Sequence, residues 1–309
     1  MTDTNTASKL YVTAATPLSR KAVLVKLTST KPSTARREKA AEVLVRGQLG
    51  DASLTLSSHI FSGRHNPVRV VLNLATAVTS YHAQHTLAWQ DRGPRILPME
   101  NYETYTAAIR KLIADTDSAV YALGPSWQGL VDADITGRMT GSAGSANPRT
   151  AESFAAEYPA FDDFREKMKF GFLFTPLPDE THFLFDLNEE DKAQFASQLA
   201  ETERAAKEDQ FNKVRAPLLH LIEKLKKQIG EPGAIFRDSA VENIVEECAI
   251  AESLAMGDAS LLAMIAEVRV AIRPHALAPS QLRESPIVRA DAAAKLSYVA
   301  AKMSFLMGN

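Results

Sequence analysis

TLAWQDRGPRILPMENYETY, residues 86–105, interrupts two helical patterns with residues that a plain helical linker would not need. Upstream of it, Pro67 suits a first helical turn, and Val68, Val71, Leu72, Ala75 and Val78 recur at three and four, so a helix is expected from about Asn66 to Trp89. Downstream, from about Pro98, Tyr102, Tyr105, Ile109, Leu112, Ile113, Thr116, Val120 and Leu123 fall on one stripe of a second helix. A short connection makes the two antiparallel neighbours. Within the interruption, Trp89 is an amphipathic anchor, Asp91 with Arg92 and Arg95 can form charge-assisted bonds, and Gly93-Pro94 forces a bend. Two readings stand: a stapled corner between helices, or a recognition corner for a protein partner built from Trp89, Asp91, Arg92, Arg95 and Tyr102.

Working outward, residues 1–20 are polar and Thr/Ser/Ala-rich and are expected to form a flexible tail. In AVLVKLTST, Val23, Val25 and Leu27 alternate with Ala22, Leu24 and Lys26, as in a strand with one face more deeply buried. Ser33 to Gly47 has capping residues, good helix formers and a glycine stop, predicting a helix. Gly137 to Thr150, GRMTGSAGSANPRT, reads as a flexible loop. It lacks the Lys-Ser/Thr ending of a phosphate loop. KFGFLFT and HFLFDL, with Phe170, Phe172 and Phe174 on one face and Phe183, Phe185 and Leu187 on another, predict a β-hairpin that joins the Val23 strand.

From Asn188 to Gly230 the chain reads as one long charged helix, with Phe195, Leu199, Phe211, Val214, Leu218, Leu221, Ile222, Leu225 and Ile229 as a broken apolar stripe. Pro217 is expected to kink it. Shorter helices follow over 238–256, 259–272 and 288–306, with breaks at Gly257-Asp258, Pro274, Pro279 and Pro286. The expected fold is mainly α (α+β): an antiparallel helical bundle with one long kinked helix and a small antiparallel β-sheet, residues 21–309 forming a single domain.

A net charge of −2 and 45% apolar residues suit a folded chain without a large field of one sign. The single cysteine, Cys248, sits in an apolar-periodic run, where Glu246 and Glu247 would raise its pKa, so it reads as a buried small hydrophobe in a reducing compartment. No signal peptide or membrane span is evident, and a cytoplasmic setting is expected. His82 and His85 lie three apart with Asp91 beyond, too few ligands for a metal centre. Arg36-Arg37 and Lys224-Lys226-Lys227 are interleaved as on solvated helix faces. Glu189-Glu190 and Glu246-Glu247, adjacent in sequence, diverge around a helix and suit no shared acid/base role. No catalytic motif, cofactor or metal site emerges.

Taken in order, TLAWQDRGPRILPMENYETYTAAIR, EYPAF…KMKFGFLFTPLPDETHFLFDL and IFRDSAVENI resemble the DUF3150 family of phage and bacterial proteins, over roughly Lys21 to Glu247. The chain departs from the pattern at Ala88, where a proline is common before Trp89. None of these motifs is catalytic. The resemblance implies, by gene association, a task shared with a MoxR/CobS-like AAA+ ATPase and a CobT-like protein with a von Willebrand A domain. The expected function is a non-enzymatic phage adaptor or substrate-recognition component. The alternative is a nucleic-acid-binding protein of phage DNA metabolism, using the basic clusters and the aromatic hairpin.

Overall fold

A computed structural model describes residues 18–49, 53, 55–63, 65–89, 93–142, 149–178, 189–227, 239–277 and 279–306. Its first half runs α1 (Leu18–Lys21), β1 (Ala22–Thr30), β2 (Ala35–Arg37), α2 (Lys39–Leu49), β3 (Ser57–His59), α3 (Pro67–Gln84), β4 (Leu87–Ala88), β5 (Arg95–Pro98) and, after a 3-10 turn, α4 (Tyr102–Leu123). Then come α5 (Trp127–Ser142), α6 (Ala151–Ala155), α7 (Phe161–Lys167), β6 (Lys169–Pro176), α8 (Glu189–Lys226), α9 (Ser239–Ser253), α10 (Ala259–Leu277), α11 (Pro279–Glu284) and α12 (Pro286–Leu306). The protein is mainly helical with a small antiparallel sheet, of strand order β4-β5-β1-β6. Among the described residues no helix is long and apolar enough to cross a membrane.

The chain divides into two compact units. One comprises Lys26–His85 and Tyr102–Leu173. Here Asn66 caps α3, its Oδ1 accepting the Val68 N–H at 2.9 Å, and Pro67 fills the first turn, where no N–H is needed. Val68, Val71, Ala75 and Val78 are buried on α3, and Tyr105, Ile109, Thr116, Val120 and Leu123 on α4. His82, near the end of α3, meets Tyr105, near the start of α4, while Val68 and Val71 share a cluster with Val120 and Leu123. The helices are therefore antiparallel. Trp127 anchors the far end, its ring 4.9 Å from Phe164 and 5.4 Å from Phe61. A fully buried ring of this size stabilises by about 1.5–3 kcal/mol relative to an exposed one. A Cβ at Gly124 would sit 3.0 Å from the Phe161 ring, so any larger residue there obliges that ring to shift.

The other unit comprises Met1–Val25, Thr86–Asn101 and Phe174–Asn309. Its main core joins α8, α9, α10 and α12 through Leu218, Leu221, Ile244, Cys248, Leu261, Met264, Val268, Leu296 and Met303. The α9–α10 turn reverses at Gly257, with φ +80°, and Asp258 then caps α10 by accepting the Ser260 and Leu261 N–H groups. A second cluster joins Ala22, Leu24, Leu87, Ile96, Ala206 and Leu254.

Several expectations need correction. Residues 35–37 are not helical: Ala35, Arg36 and Arg37 pair with His59, Ser58 and Ser57, and the helix starts only at Lys39. The helix expected to reach Trp89 ends at Gln84, because Leu87 and Ala88 pair with Ile96 and Arg95. Gly137 to Ser142, expected in a loop, continue α5, where nothing crowds Gly137. α10 runs through Pro274 to Leu277. In β1, Ala22, Leu24 and Val25 are the buried residues, with Val23 and Leu27 half-buried. Phe170, Phe172 and Phe174 are half-buried on β6, whereas His182 to Leu187, the other strand of the expected hairpin, and residues 1–17 of the expected tail lie outside the described residues. The long helix was expected to contain Pro217, and α8 does.

Candidate protein-interaction site

The interruption at 86–105 is built as β-structure. β5 is an inner strand: Leu97 and Ile96 stand opposite Val23 and Leu24 of β1 on one edge, and Ile96 and Arg95 opposite Leu87 and Ala88 of β4 on the other. Leu87, Ile96 and Leu97 are buried. Arg95 fastens the hairpin: its Nε donates to Thr86 Oγ1 at 2.7 Å and a terminal nitrogen to the Thr86 carbonyl at 2.9 Å. The same nitrogen lies 3.4 Å from Asp209 Oδ2, which also accepts the Ala88 N–H at 2.9 Å. One carboxylate on α8 thus satisfies both an edge-strand donor and a guanidinium.

Trp89 is half-buried against the Leu24, Leu87, Ile96 and Leu254 cluster. Tyr102, half-buried, opens α4 in the other unit, and its carbonyl accepts the Thr106 hydroxyl at 2.8 Å. Asp91 and Arg92 lie outside the described residues. Of the five residues of the recognition reading, Trp89 and Arg95 are therefore engaged in packing and bonding within one unit.

One turn beyond Asp209, burial pushes the Lys213 ammonium below the usual lysine range. Asp209 opposes that shift, Arg95 adds to it, and Glu247 opposes it more weakly. Burial pushes the Glu247 carboxyl up, with Lys213 pulling it back. These groups form a partly desolvated charge cluster along α8 and α9.

α8 itself changes character along its 38 residues. Phe211, Val214, Leu218, Leu221, Ile222 and Leu225 are core residues. From Glu190 to Glu201, every described side chain is exposed except half-buried Leu199. At 1.5 Å per residue this arm is about 18 Å long. Glu190, Asp191 and Glu201 against Lys192 make it acidic.

The other unit holds an ion cluster that sequence reasoning missed. Arg138 donates to Glu157 at 2.6 Å and reaches Glu38 at 3.4 Å, and Arg149 pairs with the same two carboxylates. Both guanidinium groups lie against the Phe154 ring, at 4.6 and 4.2 Å from its centroid. Burial works against the charged Glu157, but hydrogen bonds from Arg138 and Arg149 outweigh it and hold the carboxyl below its usual range. Arg36 Nε donates to the Glu157 carbonyl at 2.8 Å, and Arg37 forks onto Glu42. Those two arginines are thus on a strand and engaged, rather than on a solvated helix face. Beside them, the Tyr158 hydroxyl donates to Asp134, and burial followed by that bond pushes its pKa up to about 12.

The EYPAF motif at 157–161 supplies Glu157, Tyr158, the Pro159 carbonyl that accepts the Trp127 Nε1–H at 3.3 Å, and Phe161 against Trp127. These roles are structural.

His82 lies 2.7 Å from the Tyr105 hydroxyl and His85 bonds the Tyr81 carbonyl. Among the described residues no three His, Cys, Asp or Glu side chains converge as metal ligands. Burial pushes the Cys248 thiol up to about 11, so it stays protonated at neutral pH. Lys226 and Lys227 are exposed at the end of α8 and Lys224 is half-buried. No family model, curated protein or solved structure matches this chain.

Proposed function

We propose that the chain is a non-enzymatic phage adaptor or substrate-recognition component that works with a MoxR/CobS-like AAA+ ATPase and a protein carrying a von Willebrand A domain. The observation that carries the adaptor reading is the exposed acidic arm of α8. A helix segment that leaves nearly all of its described side chains in solvent adds little to a core and is open to a partner along its length. Here the segment continues without a break into a helix fixed by Leu218 and Leu221, so a partner bound to the arm would be held at a defined orientation. The identity of the partners rests on the sequence resemblance alone. The acidic arm would complement a basic surface. Tagged protein should retain the ATPase from a lysate in the presence or absence of ATP; no association under either condition would refute the proposal.

A further inference from the structure

α12 is apolar on two opposite faces, and only one of them is used. Arg289, Ala292, Ala293, Leu296, Val299, Ala300 and Met303 are buried in the chain's own core. On the other face, Ile287, Asp291, Ala294, Tyr298, Ala301 and Phe305 are all exposed, Ile287 at 81%, Tyr298 at 70% and Phe305 at 80%. Their alternating spacing of four and three is a heptad seam, which keeps one line of side chains facing a neighbouring helix. It runs the length of a 21-residue helix, about 30 Å. Beside it, Val270, Ala271 and Pro274 of α10 and Ala294, Tyr298 and Val299 of α12 line an apolar groove of about 810 Å³. An exposed apolar stripe of this length marks a contact surface.

We propose that this seam is covered by the same seam of a second copy of the chain, with α12 packed antiparallel on α12 about a two-fold axis near Leu296. The order of side-chain sizes selects that occupant. In the antiparallel register Ile287 faces Phe305 of the second copy, Tyr298 faces Ala294, and Asp291 faces Ala301 with Lys302, whose ammonium also donates to Glu267 in its own copy, next to it. Tyr298 then meets a small side chain, Asp291 lies beside a cation, and the large apolar side chains at the two ends, Ile287 and Phe305, cover each other, both ways, as an isologous interface requires. In the parallel register Tyr298 would meet Tyr298 and Asp291 would meet Asp291. The antiparallel arrangement brings Lys295 near its own image, but that ammonium is already paired with Asp291 at 2.7 Å. The small side chains of Ala294 and Ala301 let the helix backbones approach closely.

Light scattering on the full chain tests this. The expected mass is about twice 33.7 kDa at micromolar concentration, and Ala294→Arg or Tyr298→Glu should weaken the dimer at least about 100-fold. Both side chains are exposed, so the variants should keep the wild-type helical circular dichroism as folded monomers. Cysteine cross-linking reads the register separately. Ile287→Cys mixed with Phe305→Cys should form a mixed disulfide. Ile287→Cys alone should not cross-link, because its two copies would lie about 27 Å apart along the helices. A monomer at all concentrations, a dimer indifferent to both α12 substitutions, or efficient self-cross-linking of Ile287→Cys would overturn the proposal.

Discussion

Arg95 and Asp209 are 114 positions apart in sequence and 3.4 Å apart in the fold. Through that contact the β4–β5 hairpin is tied to the middle of α8, because the Asp209 carboxylate also accepts the Ala88 N–H. Removing Arg95 takes one donor from the carboxylate and the guanidinium donors from the Thr86 hydroxyl and carbonyl. Arg95→Ala should therefore lower stability by about 2 kcal/mol in urea unfolding. Asp209→Asn, which keeps an acceptor for Ala88, should cost less. An unchanged unfolding midpoint in Arg95→Ala would contradict the staple reading and favour recognition by this corner.

The buried His82–Tyr105 contact at 2.7 Å links the adjacent ends of α3 and α4. Tyr105→Phe keeps the ring and removes only the hydroxyl, at a cost of about 1–2 kcal/mol. A double-mutant cycle with His82→Leu should return a coupling of about 1 kcal/mol. Additive effects would show that the two side chains are neighbours without interaction.

Glu157 gives the α3–α4 unit an acid sensitivity of known sign. Its folded pKa lies below the unfolded value, so the folded state favours the ionised form. The stabilisation is fully present above the unfolded pKa of about 4.3 and disappears as pH falls through the folded value. Urea midpoints measured from pH 6 down to pH 2.5 should fall more steeply in the wild type than in Glu157→Gln. Parallel curves would show that the Arg138–Glu157–Arg149 bridge stores no stability.

Pro217 lies inside α8, where a proline removes one backbone hydrogen bond and crowds the preceding turn. Pro217→Ala should raise stability, by about 1–3 kcal/mol, if the bundle tolerates an unbroken helix at this point. A loss of stability instead would mean that the α8 packing of Leu218 and Leu221 depends on the backbone shape that proline imposes.

What the sequence made legible is what local chemistry decides. The Asn66-Pro67 start of α3, the stripe from Tyr105 to Leu123 and the Gly257-Asp258 stop each depend on residues within a turn or two. What it hid depends on distant partners. Arg36 and Arg37 sit among good helix formers, yet residues 57–59 draw them into a strand. Arg95–Pro98 looked like a corner because its partner, β1, lies some 70 positions earlier. The Glu38–Arg138–Arg149–Glu157 cluster gathers residues from β2–α2, α5 and the ends of α6, a combination that no spacing rule encodes. Likewise the acidic arm was legible as helix but not as exposed, since exposure is set by what the rest of the chain leaves uncovered.

The most direct test of the adaptor reading is the affinity of the purified chain for the purified AAA+ ATPase, compared with that of an arm variant. Gln194→Lys/Gln198→Lys reverses the charge of the arm outside its first turn and touches no core residue. The wild type should bind, and the variant should bind at least about tenfold more weakly with its Tm unchanged. Absence of binding by the wild type with and without ATP, or equal binding by the two proteins, would contradict the account.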